Sequence, residues 1–127
     1  MSIPVNLKFS KTDEWLFATG DDSAKIGISD FAQKRIGGIV FIDLPAVGDT
    51  VTAGQNFGDI ESTKAAFELI SPVTGTVMAM NEKVLDAPGE INSAPYDSWL
   101  IEVTGITSRL ELMDAAAYEE ACRDGEG

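Results

Sequence analysis

The sequence predicts a mainly β fold in a single domain that spans residues 1–127. Short apolar runs separated by glycine fill most of the chain, as expected of short strands and tight turns: EWLFATG, AKIGISD, GGIVFIDL, QNFGDIES, AAFELIS, TGTVMAM and SWLIEVTG. An offset of 37 residues also aligns four identical pairs: Gly38 and Gly75, Val40 and Val77, Val47 and Val84, Asp49 and Asp86. This repeat predicts two related strand-and-turn units in a pseudo-symmetric sandwich, joined by a hairpin within residues 58–70.

Two segments depart from the strand pattern and predict helices. The stretch SDFAQKRIGG has Ser29 or Asp30 as its N-cap and a Gly-Gly pair as its stop signal. Near the C-terminus, Asp114 is a candidate N-cap and Gly125 a candidate terminator. Between them, apolar residues repeat at helical spacing: Met113, Ala117, Tyr118, Ala121 and Cys122. We therefore expect a short internal helix and a packed C-terminal helix, with Cys122 as a small core residue.

Composition excludes several classes of function. The 21 acidic and 9 basic residues give a net charge of −12, which argues against binding to nucleic acid or to an anionic membrane. The chain has no histidine, so a histidine-based triad, metal site or general base is excluded. Its single cysteine allows no internal disulfide. With no apolar run long enough to span a membrane, we expect a cytoplasmic, non-catalytic protein that binds other proteins.

One lysine stands out, within the stretch DIESTKAAFEL. A chain reversal around residues 62–65 would leave Lys64 at an exposed tip, although the turn lacks the Asn-Gly or Asp-Gly pair of a simple hairpin. Small residues on both sides would leave the amine accessible to a modifying enzyme. Most exposed turn lysines have no specific function, so spacing leaves both interpretations open.

Longer motifs resolve this choice, because the chain resembles the H-protein family of the glycine cleavage system. The resemblance is carried by DEWLFATGD, AKIGISDFAQKRIGGIVFIDLP, ESTKAA, SPVTGTVMAMNE, INSAPYDSWLIEV and AAAYEEA. It implies a β-sandwich of the lipoyl and biotinyl carrier type, a barrel-sandwich hybrid, with lipoic acid joined by an amide to Lys64. It also implies that Glu61 belongs to the signal that the lipoate-attaching enzyme recognises. A biotin carrier resembles the chain less, because biotin domains have methionine where Thr63 and Ala65 stand.

The same resemblance implies a cleft for the loaded arm. Thr12 and Glu14 match a hydroxyl and a carboxylate at one border of this cleft, and Phe67 and Glu68 lie at the other border. Three positions along these borders depart from the family pattern. Asp13 stands where histidine is usual, and Phe67 and Glu68 replace a small polar residue and an aspartate.

A further departure is APYDSW, at residues 94–99, which lacks two glycines of the family motif and is one residue shorter. These differences favour an H-like lipoate-binding protein of sulfur oxidation, which would serve a heterodisulfide-reductase-like complex. The alternative is a glycine cleavage H protein that carries an aminomethyl group from glycine decarboxylase to aminomethyltransferase. A third possibility is an unmodified structural or lipoyl-relay subunit. Both carrier roles imply dihydrolipoamide dehydrogenase and a lipoate-attaching enzyme as partners.

Overall fold

Two antiparallel sheets form the body of the chain in the computed structural model, which describes residues 6–126. The strands are β1 (Lys8–Phe9), β2 (Glu14–Ala18), β3 (Ala24–Ile28), β4 (Ile39–Asp43), β5 (Thr50–Val51), β6 (Asn56–Ser62), β7 (Ala66–Ile70), β8 (Val73–Met80) and β9 (Ile101–Arg109). The helices are α1 (Asp30–Ile36), α2 (Glu82–Asp86), α3 (Glu90–Ser93) and α4 (Ala115–Glu126). The larger sheet has the order β1-β2-β3-β9-β8-β5, and the smaller has the order β4-β6-β7. The prediction of a mainly β sandwich with a short internal helix and a C-terminal helix is confirmed, and the sheets do not close into a barrel.

Buried and exposed side chains alternate along the strands, and the buried ones fill the space between the two sheets. In β8, Val73, Gly75 and Val77 are buried, whereas Thr76 and Met78 are exposed. The main core takes fully buried side chains from both sheets: Ile26, Ile60, Leu69, Val73, Ile101 and Val103. Each such side chain contributes about 1.5–3 kcal/mol through the removal of apolar surface from water. The small sheet is thereby held firmly on the large one.

Helix α1 begins and ends as the sequence predicts. The Ser29 Oγ accepts a hydrogen bond from the Ala32 N–H at 3.1 Å, so Ser29 is the N-cap. At the other end, Gly37 adopts a φ of 87°, in the left-handed region that glycine enters without strain. The helix connects β3 of the large sheet to β4 of the small one, and its end lies beside the hairpin of β6 and β7.

For helix α4, the predicted start is confirmed, but the predicted end and apolar face are wrong. The Asp114 carboxylate accepts from the Ala117 N–H at 2.8 Å, as expected of an N-cap. The helix continues to Glu126, so Gly125 does not terminate it. Tyr118 is 2% exposed, but the side chains of Ala117 and Ala121 face solvent.

A second, smaller core explains how α4 is attached. The rings of Phe9 and Tyr118 stack with centroids 4.3 Å apart and planes 5° apart. The backbones of Phe9 and Met113 also exchange hydrogen bonds of 2.8 and 2.7 Å. Cys122 is half-buried at the edge of this cluster, so it packs there and not in the main core. The helix therefore packs on β1 and β2 over a narrow aromatic contact.

The internal repeat does not mark structurally equivalent positions. Val40 and Val47 are 59% and 61% exposed, whereas their counterparts Val77 and Val84 are each 1% exposed. The aligned residues lie in different elements: Val40 is on β4, an edge strand of the small sheet, and Val77 is on β8, inside the large one. Val47 lies in the loop after β4, whereas Val84 lies in helix α2. The hairpin of β6 and β7 likewise belongs to one sheet and does not join two halves.

Within residues 6–126, none of the helices combines the length and the apolar character that crossing a membrane requires. The longest, α4, has 12 residues.

Candidate functional site

The turn between β6 and β7 is closed by a serine in place of the usual hairpin dipeptide. The Ser62 N–H donates to the Ala65 carbonyl at 2.9 Å. The Ser62 Oγ then accepts from the N–H groups of Lys64 and Ala65, at 3.1 and 3.3 Å. A side chain that satisfies the turn's own backbone donors can replace Asn-Gly. This arrangement leaves Lys64 exposed at the tip, where the sequence predicts it.

Contacts to the end of α1 fix the direction of this tip. The Thr63 N–H donates to the Gly38 carbonyl at 3.0 Å. A Cβ atom built on Gly37 would lie 3.1 Å from the Lys64 Cε, so the methylenes of the lysine pass directly over this glycine. Among the described residues, no carboxylate forms an ion pair with the Lys64 amine. The residues present therefore fit a group attached by an amide to the Lys64 Nζ.

A buried carboxyl lies between the two sheets, at the other end of β7. Glu14 is 2% exposed, and its Oε2 accepts from the Ile70 N–H at 3.2 Å. Its Oε1 accepts from the Ser10 Oγ at 2.7 Å and from the Thr12 Oγ1. The structure thus brings Thr12 and Glu14 together, as expected, and adds two partners that sequence reasoning missed. The Ser10 hydroxyl was the available signal, because it stands in the same short turn.

Burial sets the acidity of this carboxyl. Desolvation raises the pKa of Glu14 from 4.5 to about 7, because a charge removed from water is costly. Hydrogen bonds from Thr12, Ser10 and the Ile70 backbone lower the pKa in part, and the neighbouring charge of Asp13 raises it slightly. Near neutral pH, the carboxyl can therefore hold or release a proton.

The remaining sequence-predicted residues occupy two different environments. Phe67 is half-buried, pairs with Ile60 across the hairpin and packs against the main core. Glu68 and Glu61 are both exposed. Among the described residues, no hydrogen bond or ion pair joins Glu68 to Glu14. Phe67 is thus explained by hairpin packing, and Glu61 lies on the same hairpin as Lys64.

Comparisons with known proteins agree over almost the whole chain. The family profile described as "Glycine cleavage H-protein" matches residues 7–125. A protein named glycine cleavage system H protein from Nitratidesulfovibrio vulgaris (strain DP4) is 47% identical over 121 residues, and the match covers 94% of each chain. The glycine cleavage system H protein 2 of Pseudomonas aeruginosa is 41% identical over 128 residues, with 99% of this chain and 98% of that one covered. A crystal structure of a glycine cleavage system H protein from Mycobacterium marinum is similar with a TM-score of 0.87 at 36% identity, covering 97% of this chain and 99% of that one.

The raised pKa of Glu14 predicts a specific pH dependence of stability. As the pH rises from 4.5 to about 7, the unfolded chain loses this proton while the folded chain keeps it. The free energy of unfolding should therefore fall over this range, by up to about 3 kcal/mol from this group. In Glu14→Gln the contribution should be absent, because an amide does not titrate and its hydrogen bonds can be retained.

Urea unfolding of wild type and Glu14→Gln at pH 4.5 and pH 7.5 tests this prediction. The variant should gain stability relative to wild type at the higher pH. If the free energies of unfolding of wild type and variant differed by the same amount at both pH values, the raised pKa of Glu14 would be contradicted.

Proposed function

Because the chain belongs to the glycine cleavage H-protein family, we propose that it carries an aminomethyl group from glycine decarboxylase to aminomethyltransferase. Proteins of this family are non-catalytic carriers with a covalently attached lipoyl group. The observation that carries the proposal is the family match over residues 7–125, together with the exposed lysine at the tip of a hydrogen-bonded hairpin. A lipoate-attaching enzyme and dihydrolipoamide dehydrogenase complete the set of partners.

The sequence departures favour sulfur oxidation, but the comparisons with known proteins do not support this preference and agree better with the glycine cleavage alternative. The full-length relatives carry glycine cleavage names, and no comparison supports a heterodisulfide-reductase-like partner. Two of the departures also have ordinary structural explanations. Phe67 packs on the core, and Asp13 forms an ion pair with Arg35 at 3.0 Å. Substitutions that are accommodated by packing and pairing do not by themselves indicate a new pathway.

Lys64 is the attachment residue in this proposal. Its exposed amine, its hydrogen-bonded turn and the passage of its methylenes over Gly37, which has no side chain, support attachment there. When bound, the lipoyl group supplies a disulfide that opens to two thiols and can take up a group for transfer. This chemistry is otherwise absent from the chain, whose only sulfhydryl is that of Cys122.

The protein's own polar groups would hold the arm between encounters. Thr12 is exposed at the β1–β2 turn, and Glu14 lies directly beneath it. We propose these two residues as the hydroxyl and the carboxyl that contact the loaded arm, with Phe67 and Glu68 at the opposite border. With a pKa of about 7, Glu14 can accept from a cationic amine as a carboxylate or donate its proton in a hydrogen bond to a neutral amine as a carboxylic acid.

Lipoylation is expected at Lys64 and at no other lysine. Full-length protein produced with a lipoate-attaching enzyme should gain the mass of one lipoyl group, and peptide mass spectrometry should locate it at Lys64. Lys64→Arg keeps the charge and should remain unmodified. Lys83→Arg serves as the matched control and should be modified normally. A lipoyl group that persists in Lys64→Arg would exclude the assignment.

Glu61 is expected to contribute to recognition by the attaching enzyme. Its carboxylate is exposed on the same hairpin, so Glu61→Ala should slow lipoylation several-fold with little effect on unfolding. Asp59→Ala is the control, because it removes an exposed carboxylate from the same strand, two residues further from the lysine. Initial rates measured by intact mass decide the point. Equal rates for wild type and Glu61→Ala would remove the proposed role.

The pathway is tested by carbon dioxide exchange. Lipoylated protein, glycine and the glycine decarboxylase of the same organism should exchange carbon dioxide with the glycine carboxyl group. This exchange should be lost in Lys64→Arg, which cannot carry the arm. Absence of exchange in an assay where the Nitratidesulfovibrio vulgaris H protein is active would count against the glycine cleavage role.

A further inference from the structure

Asp13 has a backbone conformation that non-glycine residues seldom adopt. Its φ is 73°, and no other non-glycine residue in the described part of the chain has a positive φ. The left-handed region costs an ordinary residue roughly 1–2 kcal/mol, although aspartate tolerates it better than most. Such a conformation persists when surrounding contacts determine it.

Three residues from two helical segments hold Asp13 in place. The Arg35 Nη2 donates to the Asp13 Oδ2 at 3.0 Å, and the Tyr118 hydroxyl donates to the Asp13 Oδ1 at 2.9 Å. The Ser29 Oγ lies 2.6 Å from the same hydroxyl and acts as the donor there, because the Tyr118 proton is already directed to Asp13. The Ser29 N–H donates to the Asp13 carbonyl at 3.0 Å. Both carboxylate oxygens and the carbonyl of Asp13 are thus fixed.

The turn that contains Asp13 also contains the proposed arm-binding residues. Asp13 directly precedes Glu14, and its N–H donates to the Ser10 carbonyl at 3.1 Å. The Ser10 N–H donates to the Glu14 carbonyl at 2.9 Å, and the Ser10 Oγ accepts from the Glu14 N–H at 3.1 Å. In so tight a turn, a displacement of Asp13 displaces Thr12 and Glu14 with it.

We propose that Tyr118 and Arg35 are positioning residues for the carrier function, which act through Asp13 to hold Thr12 and Glu14 in place. The proposal gives α4 a specific task, because Tyr118 is its contact with the turn. The proposal rests on the proposed function, because Thr12 and Glu14 are the residues proposed to contact the lipoyl arm. The physical coupling itself exists without a lipoyl group and can be measured in its absence.

The titration of Glu14 reports on this coupling. The charge of Asp13 raises the pKa of Glu14, and this effect is smaller than that of burial or of the hydrogen bonds. Tyr118→Phe removes the hydroxyl and leaves the Asp13–Arg35 pair, so it does not change the charge near Glu14. The ring of Tyr118 can still stack on Phe9. A change in the pKa of Glu14 would then reflect access of water to a loosened turn.

The experiment is an NMR titration of the Glu14 carboxyl in the full-length, unlipoylated protein. In Tyr118→Phe, the pKa of Glu14 should fall from about 7 towards 4.5, by about one pH unit or more. Tyr96→Phe is the matched control, because it removes a hydroxyl that accepts from the Asp30 N–H and takes no part in the hydrogen bonds of the turn given above. Its Glu14 should titrate as in wild type. An unchanged pKa in folded Tyr118→Phe would overturn the proposal.

A double-mutant cycle separates action through Asp13 from general destabilisation. Glycine adopts a φ of 73° freely, so Asp13→Gly removes the contacts without straining the backbone. Tyr118→Phe should have no further effect on the Glu14 pKa in the Asp13→Gly background. An undiminished effect there would contradict the proposed route.

If Tyr118→Phe does not fold, Arg35→Gln provides the test, because Arg35 lies at the surface with 60% of its side chain exposed. Hydrogen exchange at the Ile70 amide, which donates to Glu14, should then be several-fold faster than in wild type. Unchanged exchange would overturn the proposal. Every readout uses protein without lipoate, so none depends on the pathway that the carrier serves.

Discussion

The hydrogen bond from the Ile70 N–H to the buried carboxyl of Glu14 ties the end of β7 to the large sheet. Because β7 is the last strand of the small sheet, this contact helps to set where the hairpin stands relative to the β1–β2 turn. The carboxyl can occupy this position because two hydroxyls and one amide satisfy its oxygens. The hairpin with Lys64 at its tip and the turn that carries Thr12 are thus connected through the hydrogen bonds of Glu14.

The site combines two opposite requirements. The turn at Lys64 is ordered by short backbone contacts to Ser62 and Gly38, yet its amine has no carboxylate partner among the described residues. Glu14, in contrast, is buried and fully bonded. An exposed lysine, proposed as the point of attachment, and a shielded carboxyl suit a carrier, which must offer its cargo to partners and protect it between them.

Local features of the chain were predictable from sequence, and distant ones were not. The Ser29 cap, the Gly37 stop and the exposed Lys64 follow from turn and cap chemistry within a few residues. The contact between Asp13 and Tyr118 spans 105 positions, so no local pattern indicates it. The aligned valines do not indicate a structural repeat, because one pair occupies an edge strand and an inner strand and the other a loop and a helix. Asp13 is likewise explained only by a residue 22 positions away, Arg35, with which it forms an ion pair.

The glycine beneath the lysine has a consequence for how long partners stay bound. With no side chain at Gly37, the methylenes of the exposed Lys64 lie against bare backbone, with the Cε only 3.1 Å from where a Cβ atom would stand. A lysine that becomes fixed loses roughly 1.5–2 kcal/mol of conformational entropy, and an arm attached to it would lose more. Each enzyme that captured the arm would have to overcome this loss, which weakens the complex and speeds its dissociation. An exposed lysine with no side chain at Gly37 to hold it thus favours the short residence times that a protein visiting several enzymes in turn requires.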